Sequence, residues 1–392
     1  MGQRRFKVAV VFGTRPEAVK LAPVIRKLEA DAFRFEVFNV STGQHTELLD
    51  QVLSLFQIEL YANLKVMRAD SPLSQLSARI LDGLDGIFKE IKPDICIVQG
   101  DTTTACFGGI SAFYNQVPVV HVEAGLRTGD MKNPFPEELN RVLLSKLASM
   151  HFAPTSKNER ALIGEGVSGD QIYVVGNTVI DALRMTVKDL RASSEKRFRV
   201  YESLQKKGLN FVSEGWFQEH ALDLVLVTAH RRENIGEPVR QLVRAILSLA
   251  ERYPGKKFVF PLHKNPRVLK SLELGKSLPD NLYIAEHLNY HELVMVLLKS
   301  CKVLTDSGGI QEEACALGIP TLVARKVSER IEESMTNTIV LQNLADKSEI
   351  ESKFDSLKEK TEFIEFQDCP FGDGYAADKL VDILSSQLFQ FV

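Results

Sequence analysis

Cysteine is scarce in this sequence: Cys96, Cys106, Cys301, Cys315 and Cys369 are all there is, with no C-x-x-C among them. Such sparse thiols exclude a disulfide framework and a thiolate zinc site, and they read as reduced cysteines of a cytosolic protein. No apolar run approaches the roughly 20 residues that cross a bilayer. The basic start is followed by a run, Val8 to Phe12, too short for a signal-peptide core, and Phe6 stands where a myristoylation motif wants Ser or Thr. Excess charge is nearly absent: 48 Lys and Arg against 51 Asp and Glu leave a net −3. That balance gives no global attraction to nucleic acid or to an anionic membrane, so an anionic ligand must be gripped locally. There is no G-x-x-x-x-G-K-[ST], and the loop after the first apolar run is not G-x-G-x-x-G. ATP hydrolysis and a bound dinucleotide both lose support.

A chain of 392 residues exceeds what one hydrophobic core usually serves, so two domains with a cleft between them are expected. Short β-branched runs recur, each followed by Gly or polar residues and then an amphipathic stretch, the signature of βαβ units on parallel sheets. The first half carries Val8 to Phe12, Phe35 to Val40, Ile95 to Val98, Val117 to Val122 and Ile172 to Val175. The pattern restarts with Leu224 to Thr228, Phe258 to Pro261, Leu282 to Ala285, Lys302 to Thr305 and Thr321 to Ala324. The charged stretch Lys188 to Gly208 reads as a surface helix or linker near the boundary. The domains are therefore expected over 1–180 and 181–375, with a helix at about 376–392 packing back on one of them.

Ligands of open α/β sheets bind beyond the carboxyl ends of the strands, and the unusual residues of this chain follow the predicted strands. In Gly13 to Ala18, a plain helix start accounts for Thr14 and Pro16 but leaves Arg15, a fork-shaped donor beside helix amides that suit phosphate. Thr305 to Glu313 leads from a strand into a helix, and Ser307, Gly308 and Gly309 would let backbone amides approach a diphosphate. The competing account is a cap by Ser307, with Glu312 and Glu313 complementing the helix dipole. Asp101, Glu123 and Glu137 are placed as paired acid and base groups would be, although each alone could be a cap, a turn carboxylate or a partner for Arg141. His230 precedes Arg231 and Arg232, whose field favours neutral imidazole; a buried structural histidine is the alternative. His287 and His291 have zinc-ligand spacing without an identifiable third ligand, so no metal site is expected.

Taken together, GTRPEAVKLAP (13–23), GDTTT (100–104), HVEAGLRTGD (121–130), PFPEELNR (134–141), TAHRREN (228–234) and TDSGGIQEEA (305–314) resemble the bacterial-type, non-hydrolysing UDP-N-acetylglucosamine 2-epimerases, in order over residues 7 to about 385. The resemblance implies a glycosyltransferase-B-type fold of two Rossmann-like domains, an active-site cleft between them, and a C-terminal helix returning to the first. It further implies interconversion of UDP-GlcNAc and UDP-ManNAc without cofactor, by elimination of UDP to 2-acetamidoglucal and readdition. Asp101, Glu123 and Glu137 become the acid/base candidates, with His230 close to the departing diphosphate. Arg15, Lys20, Ser307, Gly308, Gly309, Glu313 and Arg330 become nucleotide-sugar ligands, and Asp101, Glu123 and His230 also touch substrate. Gln44, His45 and Arg231 resemble positions where some members bind a second substrate molecule as activator. A cytoplasmic homodimer, serving polysaccharide biosynthesis and partnered by no nucleic acid or membrane, is expected.

Two stretches depart from the family pattern. Ser328-Glu329-Arg330-Ile331-Glu332 lacks the proline of the usual Thr-Glu-Arg-Pro-Glu, and Leu293 stands where an aromatic is common near the uracil pocket. The rival readings are a glycosyltransferase of the same fold, which would need an acceptor, a hydrolysing relative, which typically lacks the GTRPEA form, and a non-catalytic nucleotide-sugar sensor, which has no need of three carboxylates.

Overall fold

Strands that are apolar on both faces belong inside a sheet covered on both sides. In the computed structural model β1 (Phe6–Phe12) is such a strand, its residues from Val8 onward fully buried. The structure describes residues 4–44, 47–68, 71–213, 215–216, 222–229, 236–262, 278–324, 329–330, 332, 335, 337–341, 346–362 and 366–389, the side chains at 47 and 389 excepted.

Two compact units are formed, one from residues 1–182 with 370–392 and the other from 183–369. The first holds a parallel sheet in which β1 lies between β2 (Phe35–Ser41) and β4 (Ile95–Gln99), in register Val8 to Val37 and Val8 to Ile95. Beyond β2 comes the two-residue β3 (Ala62–Asn63), and beyond β4 come β5 (Val119–Val122), β6 (Met150–Ala153) and β7 (Ile172–Val174), giving the order β3-β2-β1-β4-β5-β6-β7. Strand order reverses between β1 and β4, so the connections leaving these two strands diverge to opposite faces and open a crevice at their carboxyl ends. Helices α1 (Arg15–Ala30), α2 (Glu47–Phe56), α3 (Leu73–Ile91), α4 (Thr103–Tyr114), α5 (Glu137–Leu147) and α6 (Ser156–Gly164) connect them. On one face Val11, Val98, Ile80, Phe88 and Leu144 form a continuous buried core.

The second unit has its own parallel sheet, in the order β10-β9-β8-β11-β12-β13. Its strands are β8 (Leu224–Thr228), β9 (Lys257–Leu262), β10 (Leu282–Glu286), β11 (Ser300–Thr305), β12 (Thr321–Val323) and β13 (Thr338–Val340). Its reversal lies between β8 and β11, paired Thr228 to Thr305. Val227, Phe258, Phe260, Leu304 and Phe354 belong to its core.

The chain divides inside a helix: α7 (Thr178–Ala192) runs through the change from one unit to the other, and α8 (Ser194–Lys206) follows at once. Among the described residues the other α-helices are α9 (Glu237–Arg252), α10 (Tyr290–Leu298), α11 (Gly308–Ala316), α12 (Lys347–Ser356) and α13 (Ala376–Phe389). The last returns to the first unit and lies against α1, where Lys27 and Asp378 form an ion pair. Among the described residues no helix is long and apolar enough to cross a membrane.

Candidate active site

At the first sheet's reversal the turn from β1 into α1 is closed by a reciprocal cap. The backbone N–H groups of Gly13 and Thr14 donate to Glu17 Oε2 at 3.1 and 2.8 Å, and the Thr14 hydroxyl donates to the same oxygen at 2.7 Å. Glu17 Oε1 accepts from the Thr102 hydroxyl at 2.7 Å, tying the loop after β1 to the loop after β4. Burial pushes the Glu17 carboxyl above its ordinary range, against these hydrogen bonds. Sequence reading passed over Glu17, although Thr14-Arg15-Pro16-Glu17 has capping-box spacing. Gly13 is compulsory: a Cβ there would stand 2.1 Å from Thr42 Oγ1 and 2.5 Å from Thr104 Oγ1. Thr104 also donates to Gln44 Oε1 at 3.3 Å, which brings Gln44 to this crevice. Arg15 occupies the first helical position, half-buried.

Glu123, the residue after β5, has a φ of 62°. A left-handed backbone crowds the Cβ of an L-residue and persists only where its surroundings hold it. They do so here: Lys20 Nζ donates to both Glu123 oxygens at 2.7 and 2.6 Å, and Asn177 Nδ2 donates to Oε1 at 3.0 Å. The Gln99 amide donates as well. Lys20, expected as a nucleotide-sugar ligand, is paired with this carboxylate, and both groups are buried.

Asp101 is held otherwise. Arg141 donates to its Oδ2 through Nε at 2.9 Å and Nη2 at 2.6 Å, and Asn140 Nδ2 donates to its carbonyl at 2.8 Å. The remaining arm of Arg141 reaches buried Glu138 Oε2 at 3.0 Å, whose Oε1 accepts the N–H groups of Thr128 and Gly129 at 3.0 and 2.9 Å. Glu137, half-buried, opens helix α5 one residue before Glu138. Beneath the loop, His121 Nε2 lies 2.7 Å from the Gly100 carbonyl, and burial drives this imidazole down to about 4, so the ring is neutral at neutral pH.

In the second unit β11 leads through Asp306 and Ser307 into α11. The Ser307 side chain makes no capping hydrogen bond there, and no acidic residue lies in the first turn. Glu312 instead accepts from Arg330 Nε at 3.0 Å and Glu313 from the Tyr290 hydroxyl at 2.8 Å. The simple capping account of this segment therefore fails, and the helix start keeps the electropositive character that attracts phosphate. Arg330, ion-paired also with Glu329, lies so close to Gly308 that a Cβ on that glycine would stand 2.5 Å from Nη1. Gly309 has open space where its Cβ would be.

His230, Arg231 and His45 lie outside the described residues, as do Ser328 and Ile331. His291 Nε2 is 3.1 Å from Asp189 Oδ2, and His287 precedes the helix that begins at Tyr290, so the two do not share a helical face. Among the described residues no group of three or more His, Cys, Asp or Glu could hold a metal ion. A G-x-G-x-x-G spacing at Gly164, Gly166 and Gly169 trails helix α6 and leads toward β7, the wrong context for a dinucleotide fingerprint.

Sequence reading missed Gln99, Glu138, Asn177, Tyr290 and Glu312 as site-building groups. Glu138 sat inside the quoted PFPEELNR and Glu312 inside TDSGGIQEEA, but nothing local told which carboxylate meets which cation.

A family model described as UDP-N-acetylglucosamine 2-epimerase matches residues 26–385. The chain is 40% identical over 381 residues to the UDP-N-acetylglucosamine 2-epimerase of Neisseria meningitidis, covering 96% of this chain and 99% of that one. It is 38% identical over 382 residues to the enzyme of that name from Escherichia coli K12, covering 97% and 98%. Among solved structures it is similar to UDP-GlcNAc 2-epimerase from Neisseria meningitidis bound to UDP-GlcNAc, with a TM-score of 0.86 at 37% identity over 97% of this chain and 100% of that one. The Methanocaldococcus jannaschii UDP-GlcNAc 2-epimerase in complex with UDP-GlcNAc and UDP matches with a TM-score of 0.82 at 30% identity, over 97% and 100%.

Proposed function

The chain belongs to the UDP-N-acetylglucosamine 2-epimerase family, and from that membership we propose how its residues divide the work. It is an isomerase that interconverts UDP-GlcNAc and UDP-ManNAc by the non-hydrolysing route. The hydrogen on sugar carbon 2 leaves as a proton to a carboxylate, while the bond from carbon 1 to the UDP oxygen breaks and its electron pair departs with UDP. Bound 2-acetamidoglucal, with a double bond between carbons 1 and 2, is left. Readdition restores the bond to UDP and delivers a proton to the opposite face of carbon 2. The route is redox-neutral, and no cofactor is assigned to it.

Asp101, Glu123 and Glu137 are assigned the acid/base and charge-stabilising work, with His230 beside the departing diphosphate. The observation that carries this assignment is Glu123, a buried carboxylate held in a left-handed backbone by an ammonium and two side-chain amides. Arg15, Ser307, Gly308, Gly309 and Arg330 are assigned the diphosphate, Glu313 the ribose, and Lys20 a part played through Glu123. A homodimer, a cytoplasmic location, and a second UDP-GlcNAc bound as activator at Gln44, His45 and Arg231 complete the proposal. They rest on the sequence pattern, its five sparse cysteines included.

Proton NMR of the purified protein with UDP-GlcNAc alone tests it. UDP-ManNAc should appear without free N-acetylmannosamine. Free sugar would place the protein with hydrolysing relatives, and an unchanged spectrum would remove the epimerase reading.

A further inference from the structure

The C-terminal segment enters the first unit beside one of the groups that hold Glu123. Gly176 and Gly372 meet backbone to backbone: a Cβ on Gly372 would stand 3.0 Å from Gly176 Cα, and one on Gly176 would stand 3.0 Å from the Phe371 carbonyl. Both have positive φ, 98° and 110°, so the close approach and the backbone conformation each ask for glycine. The next residue, Asn177, donates its backbone N–H to the Phe371 carbonyl at 2.6 Å. Its side chain is buried and used at both ends, Oδ1 accepting from Val179 N at 3.2 Å and Nδ2 donating to Glu123 Oε1 at 3.0 Å. One turn on, Asp181 Oδ1 accepts from Ala377 N at 2.8 Å at the start of α13. That helix is also ion-paired through Asp378 to Lys27 of α1, the helix that carries Lys20. The segment from Phe371 to Asp378 thus fastens helix α1, whose Lys20 grips Glu123, and the start of helix α7, which Asn177 immediately precedes.

We propose that Asn177 is a positioning residue for Glu123, and that the returning segment Phe371–Ala377 sets its position, so that the end of the chain serves the chemistry of a site it does not itself enter. The inference rests on the assignment of Glu123 to catalysis. A shifted amide would leave Glu123 with the Lys20 and Gln99 contacts but turned from its working orientation.

Asn177→Asp is the informative variant, because an aspartate can still cap Val179 and keep the backbone bond to Phe371 while it replaces a donor to Glu123 with a like charge. Turnover should fall at least about tenfold, KM for UDP-GlcNAc should stay within about threefold, and the pH profile of kcat should move up by about one unit, since a neighbouring carboxylate raises the pKa of Glu123. Gly372→Ala, which touches neither Glu123 nor substrate, should move the profile in the same direction with a smaller loss, and it serves alone if the first variant does not fold. A normal profile in Asn177→Asp overturns the proposal, and a lowered Tm with an unmoved profile in Gly372→Ala overturns the part given to the C-terminal segment. Glu123→Gln is measured beside them: full turnover there would sink the catalytic assignment itself, whereas an inactive Glu123→Gln with a normal Asn177→Asp sinks only this inference.

Discussion

A glutamate in a left-handed backbone is a small standing cost, of order 1–3 kcal/mol, and Glu123 bears it with its carboxylate buried. Glycine at 123 would relieve the backbone, so the side chain is what the position requires. Asp101→Asn and Glu123→Gln keep shape and remove a titrating group, and each should lower turnover by about 10²-fold or more, the scale of a positioned acid or base. UDP affinity, measured by calorimetry on the same variants, should change far less, because the diphosphate is assigned to other residues. Normal turnover in both would refute the assignment. Gly308 tests the other chemistry. A methyl there meets the Arg330 guanidinium, which Glu312 and Glu329 hold in place. Gly308→Ala should therefore displace that cation from the helix start and raise the UDP dissociation constant by about tenfold, the loss of one charge-assisted contact. Unaltered UDP binding would show that Arg330 does not serve the phosphates.

Among the elements, most strands were legible because parallel sheets covered on both faces leave unbroken apolar runs, as in Val8 to Phe12 and Leu224 to Thr228. Two-residue β3, four-residue β6 and three-residue β13 were not: β3 and β13 are too short to carry a periodicity, and His151 interrupts the apolar run of β6. The charged stretch 188–208, read as a surface helix or linker, holds the end of α7 and the whole of α8, and Val200, Tyr201 and Leu204 give α8 a buried side. No glycine or proline marks the division between the units, because it falls within α7. Long-range partners were equally invisible: Asn177 lies 54 residues from Glu123 and Arg141 lies 40 from Asp101, distances over which sequence spacing says nothing about which side chains meet. Helix α7 also carries a titrating group. Burial pushes Asp181 up to about 6 from an ordinary 3.8 while it caps α13. Between those values the folded protein holds a proton that the unfolded chain has lost, so stability falls as pH rises through that window. Below it both states are protonated, and above it the full cost is present, on the order of 3 kcal/mol. Asp181→Asn retains an acceptor for Ala377 without titrating. Its Tm should gain on the wild type between about pH 4 and pH 7, and a constant difference across that range would contradict the role given to burial.

At the scale of the whole molecule, each unit has its own parallel sheet, its own core and its own strand-order reversal. The carboxylates follow the reversal of the first sheet, and the small-residue helix start follows that of the second. On the proposed assignment the acid/base carboxylates lie on the first unit, and the diphosphate is met by Arg15 of the first unit and by the helix start of the second, so the reaction needs residues of both. A base must take the proton from carbon 2 as UDP departs, and UDP must be retained long enough to add back to the glucal. Inversion requires the returning proton to arrive on the opposite face, where the group that delivers it exchanges with solvent. In deuterated water, UDP-ManNAc formed from UDP-GlcNAc should therefore carry deuterium at carbon 2 from the first turnover, seen as loss of the carbon 2 proton signal. If Arg330 retains UDP, Arg330→Ala should release free UDP and 2-acetamidoglucal in amounts that rise relative to epimer, because elimination can proceed while readdition loses its partner. A product that keeps its original hydrogen would exclude proton removal at carbon 2 and readdition from the opposite face, and with it the roles given to Asp101 and Glu123.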